Sequence, residues 1–185
     1  FHMMDVANVA AGLLSPAVPA RFRRVLSQAL DAMEQDLVQW LPWLVGLHDI
    51  GKITLSFQAQ NTAQKDRLQQ EGFSFAGWPA SSNKQHSIFS QVFVENLLPQ
   101  ITPQASRSFL RAAAEMIGGH HGVFQAKDIV KAARTDLTLY EPEEWSKLRS
   151  AAEKVLHEQF FTADLAALPS PRNVSAAAMA LSGFT

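Results

Sequence analysis

Apolar residues return along this chain at the three- and four-residue spacing of one helical face, while the strict alternation of a half-buried strand is hard to find. Met3, Val6, Val9, Ala10 and Leu13 predict a helix over 2–14, closed by Gly12, Ser15 and Pro16. Phe22, Val25, Leu26, Ala29, Leu30 and Met33 predict another over 20–38. Segment 39–50 is apolar nearly all round, which marks a helix buried at the centre of a fold, with Gly51 as its stop. From 61 to 83, Gln, Gly, Ser and Pro with scattered aromatics predict an excursion over the surface, carrying a short helical turn at 62–70. Helices resume at 86–98, ending at Pro99, and at 103–117, where Pro103 suits a first turn. Gly118-Gly119-His120-His121-Gly122 interrupts the pattern. Further helices are expected at 126–134, at 141–161 with Pro142 near its start, and at 172–184. With no internal repeat, these elements make one all-α domain, a helical bundle.

Composition narrows the function. The 185 residues are 47% hydrophobic and 18% charged, which suffices for a single core. Lys and Arg number 16 against 17 Asp and Glu, so no global basic field exists and any nucleic-acid contact must be local. The absence of cysteine excludes disulfides and thiolate metal sites, fits a reducing cytoplasm, and leaves His, Asp and Glu as first-shell ligands. The longest apolar run, Trp40 to Leu47, contains Pro42 and is too short to span a bilayer. No signal-peptide pattern opens the chain, so a cytoplasmic protein with no membrane partner is expected. The chain starts at Phe1-His2 and stops at Leu181-Ser182-Gly183-Phe184-Thr185 inside a helical pattern, so an excised module of a longer protein is expected.

The stretch Gly46-Leu47-His48-Asp49-Ile50-Gly51-Lys52-Ile53 places two ionisable side chains inside an otherwise apolar run. Burying them costs several kcal/mol unless they are paired or bind a metal. His2, His86 and the His120-His121 pair also stand at expected helix ends or in the glycine corner, and imidazole with carboxylate suits Mn, Fe, Co, Ni or Zn. A carboxylate can bridge two such ions. Neighbouring residues on a regular helix point about 100° apart, so chelation by both His48 and Asp49 requires the helix to end or distort there. Lys52 suits either a helix C-terminus or a phosphate oxygen beside the metals, and the second role is preferred. His157 has no motif around it and is expected at the surface.

The segments HMMDVANVA, LHDIGKITLSFQ, QHSIFS and GGHHGVF, in that order, resemble the HD nuclease domain of the type I CRISPR-associated nuclease-helicases. The similarity runs over essentially the whole chain. It implies an HD-domain bundle with a buried two-metal centre, His2, His48 and Asp49 holding one ion and His86, His120 and His121 the other, with Asp49 bridging. Catalysis would rest on Asp49, His48 and Lys52, the lysine lying beside the scissile phosphate. The implied substrate is single-stranded DNA, nicked and degraded, and the implied partners are the Cascade surveillance complex and a helicase domain in the same chain. The family adds an aspartate to the first ion from an Ala-Asp-Trp segment just after the helix resembling LSGFT, which this sequence does not reach, so occupancy by one metal, or weak activity, is expected.

Local basic clusters are available for DNA. Lys127, Lys131 and Arg134 fall at i, i+4 and i+7, Arg107 and Arg111 at i and i+4, and Arg21, Arg23 and Arg24 lie near a turn. Two other readings use the same residues: a phosphohydrolase of mononucleotides or cyclic nucleotides, and a non-catalytic docking module whose metal stabilises the fold.

Overall fold

The most apolar segment becomes the centre of the molecule. In the computed structural model, which describes residues 2–79, 82, 84–163 and 168–183, helix α3 (Leu37–Gly46) is buried at every position from Trp40 to Gly46. Against it pack α1 (His2–Leu14) and α9 (Glu143–Phe160). Trp40 meets Phe109 edge-on at 5.2 Å between ring centres, and Trp43 meets Phe161 at 5.0 Å. A 3-10 turn (Leu47–Lys52) continues α3 and packs under α6 (His86–Ile101), which in turn lies on α7 (Arg107–Gly118) and α8 (Lys127–Tyr140). Helices α2 (Arg21–Leu30) and α10 (Val174–Ser182) close the far side against each other and α7. The short α4 (Leu55–Gln58) and α5 (Thr62–Gln70) lead into the excursion. No strand occurs among the described residues, and the fold is an all-α bundle.

Several expected boundaries move, each for a local reason. The helix expected over 20–38 breaks at Asp31, which adopts the left-handed conformation (φ 56°, ψ 45°) that Asp tolerates better than most residues. Ser27 seals the break, its carbonyl accepting from Ala32 N–H at 3.0 Å. Met33, counted in the apolar stripe, is consequently exposed. Pro99 does not end α6: it sits in the last turn, and the helix runs on to Ile101 before Thr102 N–H closes it on Leu98 O at 2.8 Å. Pro103 lies ahead of α7, whose cap is Ser106, accepting from Phe109 N–H at 3.2 Å. Helix α8 extends to Tyr140, well past 134. The end of the helix expected over 172–184 lies outside the described residues. So do positions 80, 81 and 83 of the excursion.

The excursion is more than surface. Phe73 and Phe75 flank Trp145 at 5.1 and 5.2 Å, and Trp145 Nε1–H donates to Ser74 O at 2.9 Å. Replacing the Ser106 cap by alanine removes one satisfied helix-end N–H and lowers stability by about 1 kcal/mol, measurable by urea unfolding.

Glu153 is buried against α3 and accepts from Trp43 Nε1–H at 3.2 Å. Burial raises its pKa above the ordinary 4.5 despite the opposing pull of that bond and of His157. A carboxyl raised on folding gives stability that is present below its unfolded value and lost as pH rises through its folded value. Glu153→Gln, neutral at every pH, therefore raises the thermal midpoint at pH 8, and the gain shrinks toward zero below pH 4. Differential scanning at the two pH values checks it.

Candidate metal centre

Four distant segments deliver the histidines to one place. His2 opens α1, His48 and Asp49 lie in the 3-10 turn, His86 opens α6, and His120-His121 follow α7. The turn passes under α6 so closely that a Cβ on Gly51 would stand 2.0 Å from His86 O and 2.5 Å from Ser90 N. Gly51 N–H donates to Ser90 Oγ at 2.8 Å. Glycine is thus needed for close approach rather than as the expected left-handed stop, since Gly51 is not among the positive-φ glycines. Helix α3 ends earlier than expected, at Gly46, and the tighter winding after it supplies the distortion that a joint His48-Asp49 site requires. Gly122, at φ +80°, does adopt the left-handed turn beyond the two histidines.

The carboxylate of Asp49 sits in the middle, and its two oxygens face different rings. Oδ2 lies 3.4 Å from His2 Nε2 and 3.2 Å from His48 Nε2. Oδ1 lies 3.0 Å from His86 Nε2 and 3.7 Å from His120 Nε2. His121 Nε2 faces His86 Nε2 at 3.1 Å. Lys52 Nζ donates to Asp49 Oδ2 at 2.6 Å and remains 38% exposed. Burial pushes the Asp49 pKa upward, but hydrogen bonds from His48, His86 and Lys52, with the charge of His48, outweigh it and hold the carboxyl well below the usual range. Asp49 is thereby held in its anionic form.

Ring tautomers follow from the backbone. His48 Nδ1 lies 3.0 Å from Val45 O and His120 Nδ1 lies 2.6 Å from Ile117 O. A carbonyl only accepts, so each Nδ1 carries a proton, and a ring that holds no second proton turns its Nε2 lone pair toward Asp49. Both bonds use a carbonyl of a helix's last turn, three residues back. The sequence carries that relation only once the helix ends are known, and the end of α3 at Gly46 is hidden by the apolar run that continues past it. Burial first, then the charges of His121 and His48, lower the His120 pKa to about 4, against the Ile117 bond and Asp49, so this ring is neutral at pH 7. Its Nε2 is buried with no hydrogen-bond partner, the state of an imidazole that suits a cation. Among the described residues, two sets have donor atoms close enough to hold a metal ion: His2, His48 and Asp49, and His86, His120 and His121.

Other candidates sort differently. Arg134 is paired with Glu95, and Arg111 Nε with Glu115 at 2.6 Å, so carboxylates on α6 and α7 take up two of the expected phosphate-binding cations. Lys127, Lys131 and Arg107 are exposed and make no ion pair among the described residues. Arg23 is a structural clamp, donating to Ser15 O at 2.6 Å and Val18 O at 2.8 Å. Arg24 reaches Glu34 at 3.8 Å. His157 is half-buried rather than at the surface, stacked on Phe161 at 4.7 Å.

Comparison with known proteins agrees with this geometry. The family model described as Cas3, HD domain, matches residues 1–185. The CRISPR-associated endonuclease/helicase Cas3 of Thermus thermophilus is 32% identical over 172 residues, 91% of this chain and 17% of that relative's length. The chain therefore spans about a sixth of this curated relative. A crystal structure of a CRISPR-associated protein matches with a TM-score of 0.76 at 25% identity, covering 99% of this chain and 20% of the other. The crystal structure of the Thermus thermophilus Cas3 HD domain in the presence of Ni2+ gives 0.64 at 26% identity, over 99% of this chain and 66% of that one. A helical bundle built around a His-Asp cluster, matched end to end at both levels, places the chain in the Cas3 HD domain family.

Proposed function

We propose that this domain is a metal-dependent nuclease that nicks and degrades single-stranded DNA, as one part of a longer cytoplasmic nuclease-helicase working with the Cascade surveillance complex. One observation carries the reading: the two oxygens of Asp49 divide the surrounding imidazoles into separate groups, as a carboxylate bridging two divalent ions would. The donor set, nitrogen and oxygen without sulfur, fits Mn, Fe, Co or Ni, and the relative's structure obtained with Ni2+ is in keeping with it. Bound there, such ions supply an activated water at neutral pH and take up charge on the phosphate.

The chain's own residues prepare the site. Val45 O and Ile117 O orient the rings of His48 and His120 through Nδ1, and Asp49 ties the two groups together. Lys52 is the cation closest to the centre and open to solvent, within reach of a phosphate oxygen that enters there. Exposed Lys127, Lys131 and Arg107 offer loose backbone contacts farther out. Among the described residues no helix is long and apolar enough to cross a membrane.

Incubation with Mn2+, Co2+ or Ni2+ tests the assignment against a nucleotide phosphohydrolase and against a docking module. Cleavage of circular single-stranded DNA is the expected result; turnover of mononucleotides alone, or of neither substrate, contradicts it. Lys52→Ala is expected to keep its metal content and lose about 10²-fold in rate. Metal analysis beside single-turnover kinetics checks this, and loss of metal from the variant would mean that Lys52 supports the ligands instead of meeting the phosphate.

A further inference from the structure

An open depression of 560 Å³ adjoins the second histidine group, its walls including His86 and His121 with Phe57, Gln60 and Lys84. A second, of 410 Å³, runs from the same Gln60 to Lys65, Phe75 and Trp78. Gln60 lines both, so the two depressions adjoin, and together they make a trough from His86 and His121 past α4 and α5 to Phe75 and Trp78. Among the described residues no carboxylate lines either part. Lys84 is held by Asp136, whereas the Lys65 ammonium has the Phe75 ring beneath it at 5.8 Å. The depression between α7 and α8 differs, because Glu95 and Glu115 line it and neutralise its arginines.

Three aromatic rings stand along the trough, each partly exposed and each braced from behind. Phe57 lies edge-on to His86 at 5.5 Å, Phe75 to Trp145 at 5.2 Å, and Trp78 to Phe89 at 5.8 Å. Rings interleaved with cations and free of carboxylates match an unpaired strand, which presents flat bases and phosphates in alternation. A duplex keeps its base faces stacked inward, and a mononucleotide fills one depression and leaves the other.

We propose that this trough seats the unpaired DNA strand beyond the bond being cut, with bases against Phe57, Phe75 and Trp78 and a phosphate at Lys65. The inference rests on the nuclease reading of the metal centre. Lys65, Phe75 and Trp78 then act as a wall of the substrate path, and cleavage requires several unpaired nucleotides.

Fluorescence anisotropy with a labelled oligothymidylate of about 15 nucleotides, in EDTA so that no cleavage occurs, tests the trough. Lys65→Ala is expected to reduce the slope of log Kd against log salt by about 0.7, the share of one phosphate contact on a single strand. Phe75→Leu is expected to weaken binding about tenfold. Because the second change loosens packing on Trp145, the half-buried Lys65, whose ammonium lies on the surface of the ring, decides the case if that variant unfolds. A wild-type slope in Lys65→Ala, or tighter binding of duplex than of single strand, overturns the proposal. These readouts need no metal, so a wild-type chain that binds the oligonucleotide but leaves circular DNA intact in Mn2+ counts against the nuclease reading and not against the trough.

Discussion

Asp49→Ala is expected to abolish metal binding at both histidine groups and to lower DNA cleavage by at least about 10³-fold. No other carboxylate faces the four rings around Asp49 among the described residues, and each ring looks at it within 3.7 Å. Removing it leaves the imidazoles beside the Lys52 ammonium with no anion to offset the charge of two divalent ions, so affinity falls at both groups. Asp49→Asn separates charge from shape: it keeps the volume and one oxygen but is expected to be equally inactive. Elemental analysis and cleavage assays on both variants, with circular dichroism as the check on folding, decide the matter. Cleavage retained within tenfold in either variant contradicts the bridging role.

Gly51→Ala is expected to be the most damaging single-methyl change in the fold. The new Cβ would meet His86 O at 2.0 Å, Ser90 N at 2.5 Å and Ser90 Oγ at 2.8 Å. Two of these are helix backbone, which cannot rotate aside. Relief requires the start of α6 to shift from the 3-10 turn by on the order of 1 Å, at about 3 kcal/mol of overpacking strain. The same shift separates His86 from Asp49, now 3.0 Å apart, so metal affinity falls with stability. Gly118→Ala makes an equally short contact, 2.0 Å, but with Gln91 Oε1 at the end of a flexible side chain. It loses only packing around the Gln91-Glu95 bond, about 1 kcal/mol. Denaturant unfolding of the two variants side by side measures the contrast, and equal stabilities contradict the close-approach role of Gly51.

The residues that gather at the centre were legible in the sequence for a chemical reason. His and Asp inside an apolar run, and two histidines between glycines, have few satisfied states, so their convergence could be anticipated before any coordinate. How they converge was less legible. The 3-10 winding of Leu47–Lys52 comes from the packing of Gly51 against α6, which lies some 35 residues ahead in the chain. The stop at Asp31 hides because the apolar stripe continues through Met33 although the chain turns away. Cation roles were the least legible. Arg134 is neutralised by Glu95 from another helix, and the aromatics of the excursion close on Trp145, about 70 positions later. Periodicity reports which face of an element is apolar, not which distant side chain will meet it.

The most direct measurement is anomalous diffraction from crystals grown with Mn2+ or Ni2+. Two peaks are expected: one among Nε2 of His2, Nε2 of His48 and Oδ2 of Asp49, the other among His86, His120 and His121 beside Oδ1. Ions bound elsewhere, or an Asp49 carboxylate that remains on Lys52 with no ion at either group, would contradict the bridged two-metal centre.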